Sequence, residues 1–223
     1  MIYGTAIGKK FFGDGCIRRY MGNTVVAPVY PTCPAYDVMC RLRQMVLDAG
    51  LESHYILMPT DSYHMTVISG VNDQLRTEKR WPPKLPFDLP MEEVDDYIAN
   101  AVASVKPLGK PRMQFDHVAN GQGAFTIRLR SADAEQEKIL RDYRDNVAAA
   151  IGFRLPGHEK YGFHITLAYT RIIAEGEDIA REERLVEQMN EYIKTIPPFE
   201  IDPPYMAFYD DMLAFSRKKI SRK

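Results

Sequence analysis

The sequence predicts an α+β fold of two similar lobes, in which two mainly antiparallel sheets face a central cleft and helices cover the outside. Three observations lead to this prediction. Two short stretches with the same pattern, 63–67 and 163–167, lie 100 residues apart in a chain of 223. Strand-like and helix-like segments follow one another in a similar order around each stretch. Two alternating segments flank an Asn-Gly turn at 120–121, which is typical of an antiparallel hairpin.

We predict a single bilobal domain over residues 1–223, because 45% of the residues are hydrophobic and no flexible linker separates the halves. Lobe one extends over about 24–105 and lobe two over about 112–216. Residues 1–23 are rich in glycine and basic residues and contain a Gly-Asp-Gly turn signal, so they are expected to form an irregular lead-in.

The first half of the chain is predicted to form three strands and two helices. These are strands at 24–30, 54–57 and 63–69 and helices at about 38–49 and 91–105. The first strand is β-branched and ends at Pro31, and the first helix has apolar residues at helical spacing and ends at Gly50. The long connection 70–90 contains the only tryptophan, Trp81. It is interpreted either as a lid over the site or as a proline-stiffened connection whose Trp81 packs on the nearest lobe.

The second half is predicted to contain a hairpin, two helices and further strands. These are strands at 112–119, 124–130, 162–169, 199–201 and 204–215 and helices at 133–151 and 178–195. Asp133 is a suitable helix N-cap and Gly152 a suitable helix end. The last strand is expected to bend or split at 210–211.

The paired stretches contain the residues that could carry chemistry. Each reads aromatic, His, apolar, Thr, aliphatic. Side chains two apart on a strand share a face, so His64 with Thr66, and His164 with Thr166, would each present an imidazole beside a hydroxyl. A single His-x-Thr is more often a half-exposed surface pair than a site. Two such tetrads should arise by chance only on the order of once in a thousand chains of this composition.

Together with the runs at 8–15 and 22–26, these motifs resemble those of the 2H phosphoesterases. That superfamily is marked by two His-x-Thr/Ser-aliphatic motifs, one in each half of a duplicated α+β fold. It includes RNA ligase-like proteins and 2′,3′-cyclic phosphodiesterases. The resemblance covers both halves of the chain. The runs and motifs look like those of a little-characterised bacterial branch of the superfamily. It implies that His64, Thr66, His164 and Thr166 are the catalytic set.

The residue types agree with that implication. Histidine has an ordinary pKa near 6.5 and can therefore accept or donate a proton at neutral pH. Opening a cyclic phosphodiester in line needs a base and an acid on opposite sides of phosphorus, which one histidine per lobe would supply. The threonine hydroxyls would donate hydrogen bonds to the phosphate oxygens. The sequence leaves open which histidine is the base, and whether the bond is hydrolysed or ligated.

No metal and no cofactor is expected in this scheme. The sequence lacks a His-Glu-x-x-His motif, and neither motif has a carboxylate at ligand spacing, although His158 and Glu159 could add ligands. A serine or cysteine hydrolase is disfavoured, because there is no Gly-x-Ser-x-Gly and no cysteine close to either motif.

Five residues are candidates for substrate binding. Arg128 and Arg130 share one strand face and would bind phosphate, with a solvated outer face as the alternative. Tyr63 and Tyr161 flank the motifs and would stack on a base, with burial or a rim position as the alternative. Trp81 would contribute if the long connection is a lid.

We therefore expect an RNA end or a nucleotide with a cyclic phosphate as the substrate, and no DNA or membrane partner. The formal charge of −1 disfavours a protein that coats nucleic acid. Three cysteines without a C-x-x-C pair, and no apolar run of membrane-spanning length, indicate a cytoplasmic protein, compatible with a monomer. A nucleotide or RNA-end binding module without activity, on the same fold, is the alternative function.

Overall fold

Residues 1–221, which this computed structural model describes, form eight strands and four helices. The strands are β1 (Gly22–Pro28), β2 (Tyr55–Leu57), β3 (His64–Asn72), β4 (Arg112–Asn120), β5 (Ala124–Ser131), β6 (His164–Thr170), β7 (Phe199–Glu200) and β8 (Tyr205–Tyr209). The helices are α1 (Pro34–Asp48), α2 (Met91–Ala103), α3 (Ala134–Ile151) and α4 (Glu177–Lys194). Residues 222 and 223, the last two of the predicted domain, lie outside the described residues.

The strands belong to one antiparallel sheet with the order β7-β4-β5-β6-β3-β1-β8, and β2 also pairs with β6. The two strands that begin with the paired motifs, β3 and β6, are neighbours at the centre of this sheet. They are in register at one pair, Met65 with Ile165. Farther along, the same edge of β6 pairs with β2 from Ala168 to Thr170. The two antiparallel strands therefore overlap only at their first residues and extend from there in opposite directions.

The predicted α+β class and the antiparallel character of the strands are confirmed, but the expected two separate sheets are joined into one. The reason is that β3 and β6 start side by side, so their backbones pair where the two strands overlap. The chain also crosses between the halves of the sheet. Strand β8 returns to pair with β1, and β2 lies against β6.

The helices pack in two pairs, α1 with α4 and α2 with α3, and their apolar side chains share one core with a face of the sheet. Helix α3 has the predicted ends. The Asp133 side chain accepts a hydrogen bond from the Gln136 backbone N–H at 2.9 Å, and Gly152 ends the helix with φ 75°. None of these four helices is long and apolar enough to cross a membrane.

Both end segments pack against the sheet. Residues 1–20 form turns and isolated bridges, and the fully buried ring of Phe11 packs on Tyr169 with the two ring centroids 5.1 Å apart. At the other end, the predicted strand 204–215 is shorter, because the chain turns after β8. Ser216 then exchanges two backbone hydrogen bonds of 2.9 Å with Phe208.

Candidate active site

The central pair of the sheet brings the two motifs together. Because β3 and β6 are antiparallel, extending the register of Met65 and Ile165 by one residue sets His64 opposite Thr166 and Thr66 opposite His164. The alternate residues are fully buried, and these are Met65, Val67, Ile165 and Leu167. The four polar motif side chains are therefore on the opposite face, away from the core.

These four side chains line one cavity of about 320 Å³, which we call the motif cavity. Two of the other lining residues, Lys10 and Arg80, are cationic. None of the described residues that line this cavity is an aspartate or a glutamate. The cavity is thus positively charged although the whole chain carries a formal charge of −1, and it is suited to an anionic ligand.

The two histidines are held by equivalent backbone contacts. Nδ1 of His64 donates to the carbonyl oxygen of Ser62 at 2.7 Å, and Nδ1 of His164 donates to that of Gly162 at 3.0 Å. A carbonyl oxygen can only accept, so each neutral ring carries its proton on Nδ1. The Nε2 atom of each ring is therefore left with a lone pair that can accept a proton.

Burial disfavours the charged form of both imidazoles. It lowers the pKa of His64 to about 4, with a smaller contribution from the nearby His164 and an opposing one from the Ser62 carbonyl. Burial also lowers the pKa of His164, and the charges of Arg128 and Lys10 lower it further. In the unliganded protein both rings are therefore neutral near pH 7.

Aromatic rings hold both imidazoles from the side. The ring centroid of Phe215 lies 4.1 Å from that of His64, and the ring centroid of Tyr161 lies 6.1 Å from that of His164. Burial raises the pKa of Tyr161 to about 12, opposed by Arg144 and by a hydrogen bond with Thr66. The Arg144 guanidinium lies over the Tyr161 ring, 4.3 Å from the ring centroid.

Lys10 is a cavity residue that the sequence analysis did not identify. Its ammonium group donates to the Tyr169 hydroxyl at 3.2 Å and lies 4.6 and 5.3 Å from the ring centroids of Tyr169 and Tyr20. Burial lowers its pKa. Within residues 1–221 it forms no ion pair with a carboxylate. The only sequence signal was its position in the glycine-rich run 8–15, which does not indicate what the run packs against.

Several predicted site residues lie in or beside the cavity. The structure brings together His64, Thr66, His164, Thr166 and Tyr161. Arg128 is the register partner of His164 on the neighbouring strand, so its side chain is on the same face, and its charge acts on that histidine.

Three candidates for substrate binding are corrected. Tyr63 is 2% exposed and packs in the core, because it directly precedes a strand histidine and so points to the other face. Arg130 is exposed and lines a different hollow with Asp133 and Glu137, two residues farther along β5 than Arg128.

Trp81 is the third correction, since it is 1% exposed and does not line the motif cavity. Its indole N–H donates to the carbonyl oxygens of Leu85 and Pro86 at 3.2 and 3.1 Å. Because this ring is buried, the connection 70–90 packs against the rest of the protein. The preceding residue, Arg80, is exposed and faces the cavity instead.

The two potential extra metal ligands have other partners. His158 Nε2 lies 2.9 Å from Asp145 Oδ1, and Glu159 pairs with Arg154 at 3.2 Å. No group of three or more His, Cys, Asp or Glu side chains within residues 1–221 is arranged to hold a metal ion.

Comparison with known proteins gives a family and a related fold. A family model described as "Domain of unknown function (DUF1868)" and labelled 2H-phosphodiest matches residues 10–123. No curated protein matches the sequence. The conserved protein of unknown function ATU0111 from Agrobacterium tumefaciens strain C58 has a crystal structure with a TM-score of 0.87. It is 28% identical over 96% of this chain and 91% of that chain.

Two further crystal structures are more distant. TT0787 of Thermus thermophilus has a TM-score of 0.41 and 14% identity over 83% of this chain and 85% of that one. E. coli LigT, solved in complex with phosphate, has a TM-score of 0.42 and 8% identity over 86% of this chain and 88% of that one.

Proposed function

Because the chain belongs to the DUF1868 family of the 2H phosphoesterase superfamily, we propose that it is a metal-independent phosphoesterase. Its substrate is a 2′,3′-cyclic phosphate or a 2′–5′ phosphodiester in an RNA end or a nucleotide, which it hydrolyses or reversibly ligates. One observation carries the proposal: His64 and His164, distant in sequence, line the same cavity, each with its threonine. A structural role of the two motifs would not require them to share a cavity.

The orientation of the rings supports acid–base chemistry. In hydrolysis, the neutral Nε2 of one histidine takes a proton from water as its oxygen attacks phosphorus. The protonated Nε2 of the other histidine gives its proton to the ester oxygen as the P–O bond on the far side breaks. The first ring ends protonated and the second neutral, so exchange with solvent restores the starting state.

The environments of the two rings favour a division of roles. Burial keeps His64 neutral near pH 7, so its Nε2 is suited to accept the proton of the attacking water. Burial, and to a smaller extent the charges of Arg128 and Lys10, lower the pKa of His164 in the unliganded protein, and a bound phosphate anion would offset the two charges. His164 would therefore gain its proton when substrate binds and would act as the acid. Ligation reverses these roles.

The remaining groups are suited to bind the phosphate. The hydroxyls of Thr66 and Thr166 donate to its non-bridging oxygens, where negative charge increases in the transition state. The ammonium group of Lys10 lacks a carboxylate partner in the described structure and supplies a compensating charge. Its contacts with Tyr169 and Tyr20 orient it before the substrate arrives.

The test is a substrate panel of cyclic nucleotides, oligonucleotides with cyclic phosphate ends and sugar cyclic phosphates, assayed with a chelator present. We expect product from at least one class, and none from the double variant of His64→Ala with His164→Ala. Binding of a cyclic nucleotide without product after long incubation would favour a binding module instead. Equal activity of the double variant would overturn the proposal.

A further inference from the structure

The chain turns back after β8, and this turn places Phe215 beside the motif cavity. We call residues 210–216 the C-terminal turn. At its start, the Asp210 carbonyl oxygen accepts a hydrogen bond of 2.7 Å from the Tyr20 backbone N–H. At its end, Ser216 exchanges two backbone hydrogen bonds of 2.9 Å with β8. The turn is therefore held in place by backbone contacts that do not involve the motif residues.

The Phe215 ring packs against both His64 and the buried Tyr209. Its centroid lies 4.1 Å from that of the imidazole, with 52° between the two planes, and 5.2 Å from that of the Tyr209 ring. The hydrogen bond from Nδ1 to the Ser62 carbonyl oxygen fixes one edge of the imidazole. A ring held at one edge can still tilt about that bond. The contact with Phe215 therefore adds a second restraint, which sets the plane of the imidazole.

His64 and Phe215 also line a second space of about 230 Å³, which we call the outer hollow. None of its other lining residues lines the motif cavity, and these are Pro28, Tyr30, Asp61, Ser62, Tyr63, Tyr205, Leu213 and Ala214. Because only the two rings belong to both linings, they lie at the boundary between the two spaces. The Phe215 ring thus covers a part of the imidazole that water in the outer hollow would otherwise reach.

The groups around His64 determine what its exposure to water would change. The titratable side chains that face it across the motif cavity are Lys10, Tyr20, Arg80, Tyr161, His164, Tyr169 and Tyr209. Those that line the outer hollow are Tyr30, Asp61, Tyr63 and Tyr205. Burial, with a smaller contribution from His164, lowers the pKa of His64 to about 4. Water and the Asp61 carboxylate would instead stabilise the protonated ring, so loss of the Phe215 ring is expected to raise this pKa.

We propose that Phe215 is a positioning residue for His64, whose ring holds the imidazole with Nε2 directed into the motif cavity and keeps water of the outer hollow away from it. This inference rests on the proposed function, in which His64 accepts a proton. Phe215 itself transfers no proton. A displacement of a reacting group by about 1 Å can lower a rate about 10²-fold, so a contact that fixes this ring acts on kcat more than on KM.

The test combines an NMR titration of His64 with kcat and KM for adenosine 2′,3′-cyclic phosphate. In Phe215→Ala we expect the His64 pKa to rise by about one unit or more, and kcat to fall about 10–100-fold with little change in KM. Phe215→Leu keeps an apolar side chain against the imidazole and should restore most of both quantities. The matched control is Leu213→Ala, which removes an apolar side chain of the same turn that lines the outer hollow but not the motif cavity. It should change neither quantity.

An unchanged His64 titration in Phe215→Ala, or an equal loss of kcat in Leu213→Ala, would overturn this inference while leaving the phosphoesterase proposal intact. A higher KM at unchanged kcat would also overturn it, because that result indicates a direct contact with the substrate. If the protein turns over no substrate, the proposed function fails and the titration still decides the inference. A raised His64 pKa in Phe215→Ala then supports it, and an unchanged one overturns it.

Phe215 is only partly buried, so the alanine variant is expected to fold, as circular dichroism should show. If it does not fold, the wild-type protein decides through the nuclear Overhauser effect between the ring protons of Phe215 and His64. A strong effect supports the inference, and its absence overturns it.

Discussion

Met65 of β3 and Ile165 of β6 are direct antiparallel partners at the centre of the sheet, and both side chains are fully buried. Each histidine of the paired motifs lies opposite the threonine of the other motif about this pair. An approximate twofold relation therefore organises the cavity. The two strands overlap only around this pair and extend from it in opposite directions, and the cavity at the overlap is lined by an imidazole from each motif.

Each motif histidine should be required for turnover. We expect His64→Ala and His164→Ala each to lower kcat by about 10²–10⁴-fold, because each removes one proton transfer. The control is His117→Ala, since His117 is exposed and pairs with Asp116 at 2.7 Å. Circular dichroism should show that all three variants fold. Full turnover by either motif variant would contradict its role.

The threonine hydroxyls should act mainly in the transition state. Thr66→Val and Thr166→Val keep the side-chain shape but remove the donor, so we expect kcat to fall by about 10²–10³-fold with little change in thermal stability. Thr66→Ser and Thr166→Ser should restore most of the activity. A valine variant with wild-type kcat would show that its hydroxyl does not contact the reacting phosphate.

Lys10 should contribute to substrate affinity and to the pH profile. Loss of a charged hydrogen bond to phosphate is expected to lower kcat/KM of Lys10→Met by about 10–100-fold. Because its charge lowers the pKa of His164, the variant should also show the His164 titration at higher pH, measured by NMR. Lys9→Met, at the exposed neighbouring position, should change neither quantity. An unshifted His164 titration in Lys10→Met would contradict this role.

Acid should destabilise the protein through His64. Its pKa is about 4 in the folded state and near 6.5 when unfolded, so between these values the unfolded chain binds more protons. The contribution of neutral His64 to the free energy of unfolding is therefore fully present above about pH 6.5 and is lost as the pH falls toward 4. Urea unfolding from pH 7.5 to 4.5 should show a smaller decline for His64→Asn, which does not titrate there. Equal declines in both proteins would be the contrary result.

Trp81 should matter for stability rather than for catalysis. Trp81→Ala removes a fully buried ring and should lower the free energy of unfolding by about 3–5 kcal/mol. The kcat of the folded protein should change little, since the ring does not line the cavity. A lid residue would give the opposite result, a lower kcat/KM at unchanged stability.

Local signals account for what could be predicted from the sequence. The ends of α3 were predicted because Asp133 and Gly152 act within one turn of the helix. The motif side chains were expected on one strand face because alternation depends on two neighbouring residues only. The same alternation, applied to Tyr63, would have indicated the core.

Contacts between distant segments were beyond such signals. Lys10 reaches the cavity because the lead-in packs on Tyr169, which is 159 residues away. Phe215 contacts His64 because the chain turns back after β8. Neither contact is indicated by a periodicity or a spacing in the sequence.

The sequence by itself determined the α+β class, most element positions and the two His-x-Thr pairs, since these depend on local backbone preferences and side-chain alternation. Only the tertiary structure decided that the lobes share one sheet, that Lys10 and Arg80 face the motif cavity, and that Trp81 and Tyr63 do not. The physical reason is that strand pairing and burial are set by the packing of segments far apart in the chain. Met65 and Ile165 become neighbours only when the whole sheet forms.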